Sequence, residues 1–323
     1  MIPDKTVDEI RLLSLVAKSN GSLLSLQDIA ALTDVNLTEE QLEAGWPTIP
    51  GLAETHELKH GFMIERECGN STSDPTVLQR EMEKRARGEK YANFARTFAS
   101  YCIGRETKMI AVSGSTSYHA VSETDDLDFF CVTNPESLWI FLTRSLLFSR
   151  VFRLARRDKP RMCFSYAVDQ EFAEKEFASS NNPLFARDAL AAIVIHGVET
   201  YKGLLKRSSW IANYFPRLYQ GRTGSTDAGD VLDSRSNPSP GQKFLNLLLC
   251  CLVGSYIRTK STMLNRKFRK QSKSSSRFLV RIGSDHCIFE SARYSHLRTM
   301  YNKLDEKPST TDGGNQVSGA DHR

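Results

Sequence analysis

Apolar and polar positions in the first 67 residues predict three short helices followed by a hairpin. A capping box at Thr6 starts a helix whose apolar side chains recur at helical spacing. Ser25 and Thr38 begin two further helices in a similar way. Residues 57–64 place a glycine turn between two short extended runs, which is typical of a hairpin. We therefore expect residues 1–67 to form a small module of their own.

Three helices and a hairpin in this order resemble a winged helix-turn-helix module. Such a module can place its recognition helix in the major groove of DNA. The third helix here, however, carries acidic side chains, which the phosphates of DNA repel; these are Glu39, Glu40 and Glu43, next to Gln41. The pattern therefore favours a module that packs on the rest of the chain or binds another protein over one that recognises DNA.

The middle of the chain alternates helical periods with short apolar runs. Buried strands are predicted at residues 108–113, 127–133 and 162–168. Helices are predicted around them at residues 77–102, 135–150, 184–195 and 198–210. Alternation of this kind is typical of an α/β or α+β domain, which we place at residues 77–220.

The last third of the chain predicts a linker, a helical module and a tail. Residues 221–241 are rich in Gly, Ser, Asp and Pro and predict a linker or loop. A buried helix is expected at residues 244–257, followed by a short strand and a last helix near residues 290–304. We expect a mostly helical C-terminal module at residues 241–305 and a disordered tail at residues 306–323.

Composition is ordinary and its main consequence is an expected compartment. The 323 residues are 40% hydrophobic and 25% charged, as in most globular proteins. The most apolar run is far shorter than the roughly 20 residues of a membrane helix, so we expect no membrane partner and a cytoplasmic location. The seven cysteines show no metal-finger spacing.

Positive charge concentrates in two stretches. No acidic residue occurs between Asp233 and Asp285, and basic residues accumulate there from Arg258 to Arg281. A shorter basic turn contains Arg153, Arg156, Arg157, Lys159 and Arg161. Such stretches favour an anionic partner, whether a nucleotide, a nucleic acid or an acidic protein surface.

The stretch from Gly114 to Asp128 carries the candidate chemistry. Gly114 permits close approach of the backbone, and Ser115 and Thr116 can offer a hydroxyl and N–H groups to phosphate oxygens. Asp126 and Asp128 alternate with a leucine, so in a strand both carboxylates project from one side. Two carboxylates about 6 to 7 Å apart repel each other and call for a cation. Hard oxygen ligands of this kind suit Mg²⁺, which completes its shell with water and substrate phosphates.

The Gly114-Ser115 turn followed by an acidic strand resembles the signature of the polymerase-beta-type nucleotidyltransferase superfamily. The resemblance is to stand-alone prokaryotic nucleotidyltransferase-domain proteins, in which a Leu-Trp helix follows, as at Trp139 here. It implies an α+β fold with a mixed sheet flanked by helices, an NTP substrate and Mg²⁺ as cofactor. It also implies that Asp126 and Asp128 bind the metal and act in catalysis.

Members of the superfamily usually add a third carboxylate on a neighbouring strand, where it shares a metal and can deprotonate the acceptor hydroxyl. The strand expected to carry it has Cys163 and Ser165, and no acid before Asp169. Asp169 is therefore the candidate for the third catalytic carboxylate, with Glu123 and Asp125 as alternatives in the loop.

Two functions stay open on the sequence alone. The first is Mg²⁺-dependent transfer of a nucleoside monophosphate from an NTP to an unidentified hydroxyl acceptor. The second is a nucleotide- or nucleic-acid-binding regulator with weak or no activity, which the missing third acid motivates. It would use the N-terminal module and the basic block from Arg258 to Arg281. His119 is a secondary candidate for contact with phosphate or acceptor, although a solvated loop histidine is more common.

Overall fold

The computed structural model describes most of the chain. The described residues are 4–19, 21–33, 38–49, 51–66, 75–123, 125–155, 160–224, 238–271 and 277–305. Residues 156–159 of the basic turn, residues 225–237 of the predicted linker and the predicted tail at 306–323 lie outside them. None of the described helices combines the length and apolar character needed to cross a membrane.

The N-terminal module contains the three predicted helices and the hairpin, and adds a short strand between the first two helices that was not predicted. It consists of α1 (Asp4–Ser19), β1 (Leu24–Ser25), α2 (Leu26–Leu32), α3 (Glu39–Gly45), β2 (His56–Lys59) and β3 (Phe62–Glu65). The three strands form an antiparallel sheet in the order β1-β3-β2. Ser25 and Thr38 cap α2 and α3 through capping boxes with Asp28 and Gln41, which confirms both predicted helix starts.

The remaining elements build one larger unit. Its first half consists of α4 (Pro75–Cys102), β4 (Thr107–Ser113), α5 (Gly114–Ser117), β5 (Leu127–Thr133), α6 (Leu138–Ala155), β6 (Met162–Asp169) and α7 (Gln170–Ser179). Its second half consists of α8 (Pro183–Ala191), β7 (Ile193–His196), α9 (Val198–Arg207), α10 (Pro216–Thr223), α11 (Pro240–Leu249), α12 (Ser255–Lys270), β8 (Phe278–Ile282), β9 (His286–Ser291) and α13 (Ala292–Asp305). A π-helical turn, Cys250–Gly254, joins α11 to α12.

Six strands form the central sheet in the order β7-β4-β5-β6-β9-β8. The β5 and β6 strands are parallel, and the other neighbours are antiparallel. The fold is therefore α+β, with a mixed sheet and an antiparallel sheet flanked by helices, as the sequence predicts at this level.

Two predictions about the order of elements are wrong. Residues 193–195 were expected to end a helix, but they lie in β7 beside β4, because three consecutive β-branched side chains favour a strand. The C-terminal segment was expected to form a separate, mostly helical module. Instead β9 pairs with β6, where Tyr166 lies opposite Ile288, so the segment completes the central sheet.

Alternating side chains of the central strands enter two hydrophobic clusters. One face, which includes Ala111 and Val132, packs with α7, α8, α9 and the N-terminal module. The other face, which includes Val112 and Cys131, packs with α4, α6, α11 and α12. The N-terminal module thus shares a cluster with the central sheet, and α1 contacts α13 while α2 contacts α10.

Trp139 fastens α6 to the C-terminal segment. Its side chain is fully buried. The indole N–H donates to the Gly283 carbonyl at 2.9 Å, and the backbone N–H donates to Asn246 Oδ1 at 2.8 Å.

The helix expected to be buried from residue 244 is only half covered. Phe244, Leu247 and Leu252 are 69%, 55% and 61% exposed, so the apolar run marks a helix but not a fully buried one. A continuous apolar run cannot indicate which side of a helix other elements cover.

Candidate functional site

Gly114 ends β4 in a conformation that favours glycine. Its φ is +63°, in the left-handed region, and the turn leads directly into α5. A Cβ at this position would stand 2.6 Å from Oδ2 of Asp128, which is closer than carbon and oxygen can pack. The backbone therefore passes against the carboxylate of Asp128 because residue 114 has no side chain.

Ser115 and Thr116 lie differently in this turn. Ser115 is partly exposed, so its hydroxyl is accessible beside the carboxylates' strand. Thr116 is 1% exposed, and its Oγ1 has no hydrogen-bond partner among the described residues. The hydroxyl of Thr116 is therefore closed off from a ligand, and the predicted role of this residue can rest only on its backbone N–H.

Asp128 occupies the start of β5 between two neighbouring strands. It pairs with Ser113 of β4 on one side and with Cys163 of β6 on the other. Leu127 is fully buried in the cluster that contains Val112 and Cys131, on the other face of the sheet from the Asp128 side chain, as the predicted alternation requires. Asp126 precedes the strand and is exposed. The structure thus brings together Gly114, Asp126 and Asp128 at one edge of the sheet.

Burial and like charge shift the titration of both carboxyls. Burial raises the pKa of Asp128 to about 7, and the negative charge of Asp126 adds to this. Hydrogen bonds donated by Cys163 and Ser165 oppose the rise. Loss of solvent also raises the pKa of Asp126. The pair therefore gains from a cation, which would offset the repulsion between the two charges.

Three basic side chains from separate segments lower the pKa of Asp126. Arg161 at the start of β6, Arg153 of α6 and Lys260 of α12 each lower its pKa, against the loss of solvent that raises it. The basic turn and the basic block are far apart in the sequence, so only the tertiary structure brings positive charge from both near this carboxylate. Their charges make this edge of the sheet suitable for an anionic ligand.

Asp169 does not lie near the other two carboxylates, so the structure does not bring the three predicted carboxylates together. It pairs with Thr133, five residues beyond Asp128 and therefore roughly 16 Å along the strand. Its side chain caps α7 by accepting a hydrogen bond from the N–H of Phe172 at 2.9 Å. Burial raises its pKa to about 6.

The alternative carboxylates have other partners. Asp125 accepts from the backbone and the hydroxyl of Ser122, which closes the loop before β5. Glu123 is 85% exposed and faces Arg87. Within the described ranges, no group of three or more His, Cys, Asp or Glu side chains is placed to hold a metal ion.

Cys163 and Ser165 are the functional residues that the sequence pattern did not assign. Both side chains donate hydrogen bonds to Asp128 from the strand expected to carry the third acid. Burial and the charge of Asp128 raise the pKa of the Cys163 thiol well above its ordinary value, which keeps the thiol a donor. The one signal in the sequence is the small, polar character of alternate positions in β6.

His119 is exposed, has a φ of +54°, and packs its backbone near Gly88 of α4.

Comparison of the chain with models of known families, with characterised proteins and with solved structures finds no match.

Proposed function

We propose that this protein is a Mg²⁺-dependent nucleotidyltransferase, which moves a nucleoside monophosphate from an NTP to a hydroxyl acceptor. The observation that carries the proposal is the contact between the Gly114 turn and Asp128, with Asp126 beside it. A glycine turn against a carboxylate pair provides the two parts that phosphate transfer needs, a phosphate cradle and a metal site.

The residues present fit Mg²⁺. This ion takes one or two protein carboxylates and fills its remaining positions with water and phosphate oxygens. Asp126 and Asp128 would hold it. Burial is the main cause of their raised pKa values, and the charge of Asp126 raises the pKa of Asp128 further, a repulsion that a cation relieves. When bound, the ion would neutralise charge on the triphosphate.

The chain's own groups would orient and neutralise the triphosphate. The Ser115 hydroxyl and the N–H groups of the turn would donate to phosphate oxygens. Arg153, Arg161 and Lys260, which act on Asp126, would balance negative charge that the metal leaves uncompensated. The acceptor hydroxyl would approach from the solvent side of Asp126, which is exposed.

Incubation with each labelled NTP, Mg²⁺ and candidate acceptors would test this proposal. We expect label transfer by the wild type and a loss of at least about a hundredfold in Asp126→Ala and Asp128→Ala, as when a metal or transition-state contact is removed. Asp169→Asn is the matched control, because asparagine keeps the cap of α7 while removing the carboxylate. Label transfer that survives both Ala substitutions would refute the proposed site.

The N-terminal module has the element order of a winged helix, and we propose that it serves packing or protein binding. Its α1 and α2 contact the larger unit, while Glu39, Glu40 and Glu43 of α3 are exposed. An acidic surface of this kind repels nucleic acid. This role would be contradicted if the wild-type protein binds DNA and a variant without the charges of α3 does not.

A second candidate function is nucleotide or nucleic-acid binding without efficient turnover. Cys163 and Ser165 stand beside Asp128 where a third acid is usual, and neither is a base that could take the acceptor's proton at neutral pH. The basic side chains of α12, which are exposed, would then bind an anionic polymer.

Salt dependence distinguishes this second candidate. If phosphate contacts dominate, log Kd should change linearly with log salt concentration, and each lost contact should reduce the slope by about one. We expect Arg266→Gln and Arg269→Gln each to reduce the slope. Arg207→Gln on α9 serves as the control of equal charge. Binding of RNA or DNA that ignores salt would exclude the basic helix as the contact.

A further inference from the structure

A cavity of about 170 Å³ lies between the N-terminal module and the larger unit. Its walls come from α1 and β1 on one side, and from α8, α10 and the residues after α5 on the other. Neither Asp126 nor Asp128 lines it, so it is distinct from the candidate transferase site. It lies where two parts of the chain meet, which is a common place for ligand sites.

Arg187 is the main polar feature of this cavity. The residue is 7% exposed, and its Nε has no hydrogen-bond partner among the described residues. Its guanidinium lies 4.9 Å from the centroid of the Tyr118 ring, and the Tyr118 hydroxyl donates to Asp188. The aromatic contact orients the guanidinium but leaves N–H donors that a cation–π contact does not satisfy.

A second guanidinium, that of Arg222 in α10, lines the same cavity. Within the described part of the chain, neither Arg187 nor Arg222 forms an ion pair with a carboxylate. Asp28 is the acidic residue in the wall, and its Oδ2 is paired with Arg85 at 2.8 Å. The charge of Arg187 lowers the pKa of the neighbouring Asp188, so this charge is partly compensated, but the Nε of Arg187 keeps a donor that an oxyanion in the cavity would satisfy.

The rest of the wall combines the polar Ser22, Ser117 and His119 with apolar side chains. It includes Leu13, Leu24, Leu190 and Leu218. A cavity of about 150 Å³ with apolar walls admits benzene, so this one has room for a compact ring or branched chain. Guanidinium groups bind carboxylate and phosphate oxygens in a forked geometry.

We propose that this cavity binds a small molecule that carries one oxyanion, a carboxylate or a phosphate monoester, on a compact apolar body. Arg187 and Arg222 bind the oxyanion, and the leucine side chains surround the apolar body. Because Tyr118 and His119 follow α5 directly, the bound molecule contacts the segment that also forms the Gly114 turn.

Titration calorimetry of the full-length protein with four probes would test the site. Benzoate and phenyl phosphate represent the two oxyanion types, benzyl alcohol lacks the charge, and inorganic phosphate lacks the apolar body. We expect benzoate or phenyl phosphate to bind more tightly than both benzyl alcohol and inorganic phosphate. Whichever of these two probes binds more tightly shows whether the natural ligand carries a carboxylate or a phosphate monoester.

Variants locate the binding. Arg222→Gln should weaken the better probe by about ten- to a hundredfold, since a charge-assisted hydrogen bond is lost. Arg217→Gln removes the same charge from the same helix outside the cavity and should leave the affinity within about twofold. Arg187→Lys keeps the charge but loses the forked pair of N–H donors, and it replaces Arg187→Gln in this test if Arg187→Gln fails to fold.

Three outcomes would overturn the site. One is equal binding of benzyl alcohol and the charged probes, and another is equal weakening by Arg217→Gln and Arg222→Gln. The third is loss of binding in Asp126→Ala, which would place the probe at the carboxylate site instead.

Discussion

Replacing Asp128 by asparagine should stabilise the protein at pH 8 while removing a metal ligand. Burial and the charge of Asp126 raise the pKa of Asp128 to about 7. The folded state therefore holds this proton more tightly than the unfolded chain, in which the pKa is near 3.8. As pH rises from about 4 to about 7, the carboxyl destabilises the fold increasingly, and above about 7 the full cost is present.

The magnitude follows from these two pKa values. Linkage gives a cost of about 1.5 kcal/mol at pH 5 and at most about 4 kcal/mol at pH 8. Water entry and local rearrangement around the ionised group lower the second figure. Asparagine has the same shape, is neutral at both pH values, and offers an oxygen that accepts from Cys163 and Ser165. Its gain over the wild type should therefore grow from pH 5 to pH 8.

Urea denaturation followed by circular dichroism at pH 5, 6, 7 and 8 would measure this gain without divalent ions. Asp8→Asn on α1 is the matched control, because the Asp8 side chain is 61% exposed and its pair with Arg11 lies at the surface. That change should shift the free energy of unfolding by less than about 0.5 kcal/mol at every pH.

The reasoning fails if Asp128→Asn is no more stable than the wild type at pH 8, or if its advantage is constant across the pH range. Addition of Mg²⁺ provides a second readout. The ion should raise the stability of the wild type by mass action and leave the variant nearly unchanged.

Three further predictions concern contacts around the site and the core. Gly114→Ala should lower the free energy of unfolding by about 1–2 kcal/mol because of its left-handed backbone, and it should also displace Asp128 and weaken NTP binding in a filter assay. Gly61→Ala is the control: its φ is +77° and the space around it is open, so only the backbone cost should appear. Tyr118→Phe removes the donor to buried Asp188 and should cost about 1–3 kcal/mol in urea denaturation. Because burial raises the pKa of Asp188 to about 6, this loss should be greater at pH 8 than at pH 5. Asn246→Ala removes hydrogen bonds to α6 and to the Ser284 carbonyl and should lower the midpoint of thermal unfolding by several degrees, unlike Asn93→Ala on the exposed side of α4.

Local patterns were sufficient for much of the secondary structure. The caps at Ser25 and Thr38, the strands at β4, β5 and β6, and the packing of Trp139 follow from short-range chemistry or hydrophobic periodicity. The same patterns were insufficient for β7 and β9. The apolar run of β7 directly follows a helical pattern that does not show where the helix ends, and the pairing of β9 with β6 joins residues more than a hundred positions apart.

For the candidate site, the sequence by itself determined a glycine turn, a pair of carboxylates and the side from which the carboxylates project, because strand alternation and glycine's freedom are local properties. Only the tertiary structure decided that the turn lies against Asp128 and that Asp169 caps a helix at the far end of β6. It also decided that Cys163 and Ser165 donate to Asp128, and that Arg161, Arg153 and Lys260 act on Asp126. These contacts depend on strand register and on the packing of distant helices, which no local pattern encodes.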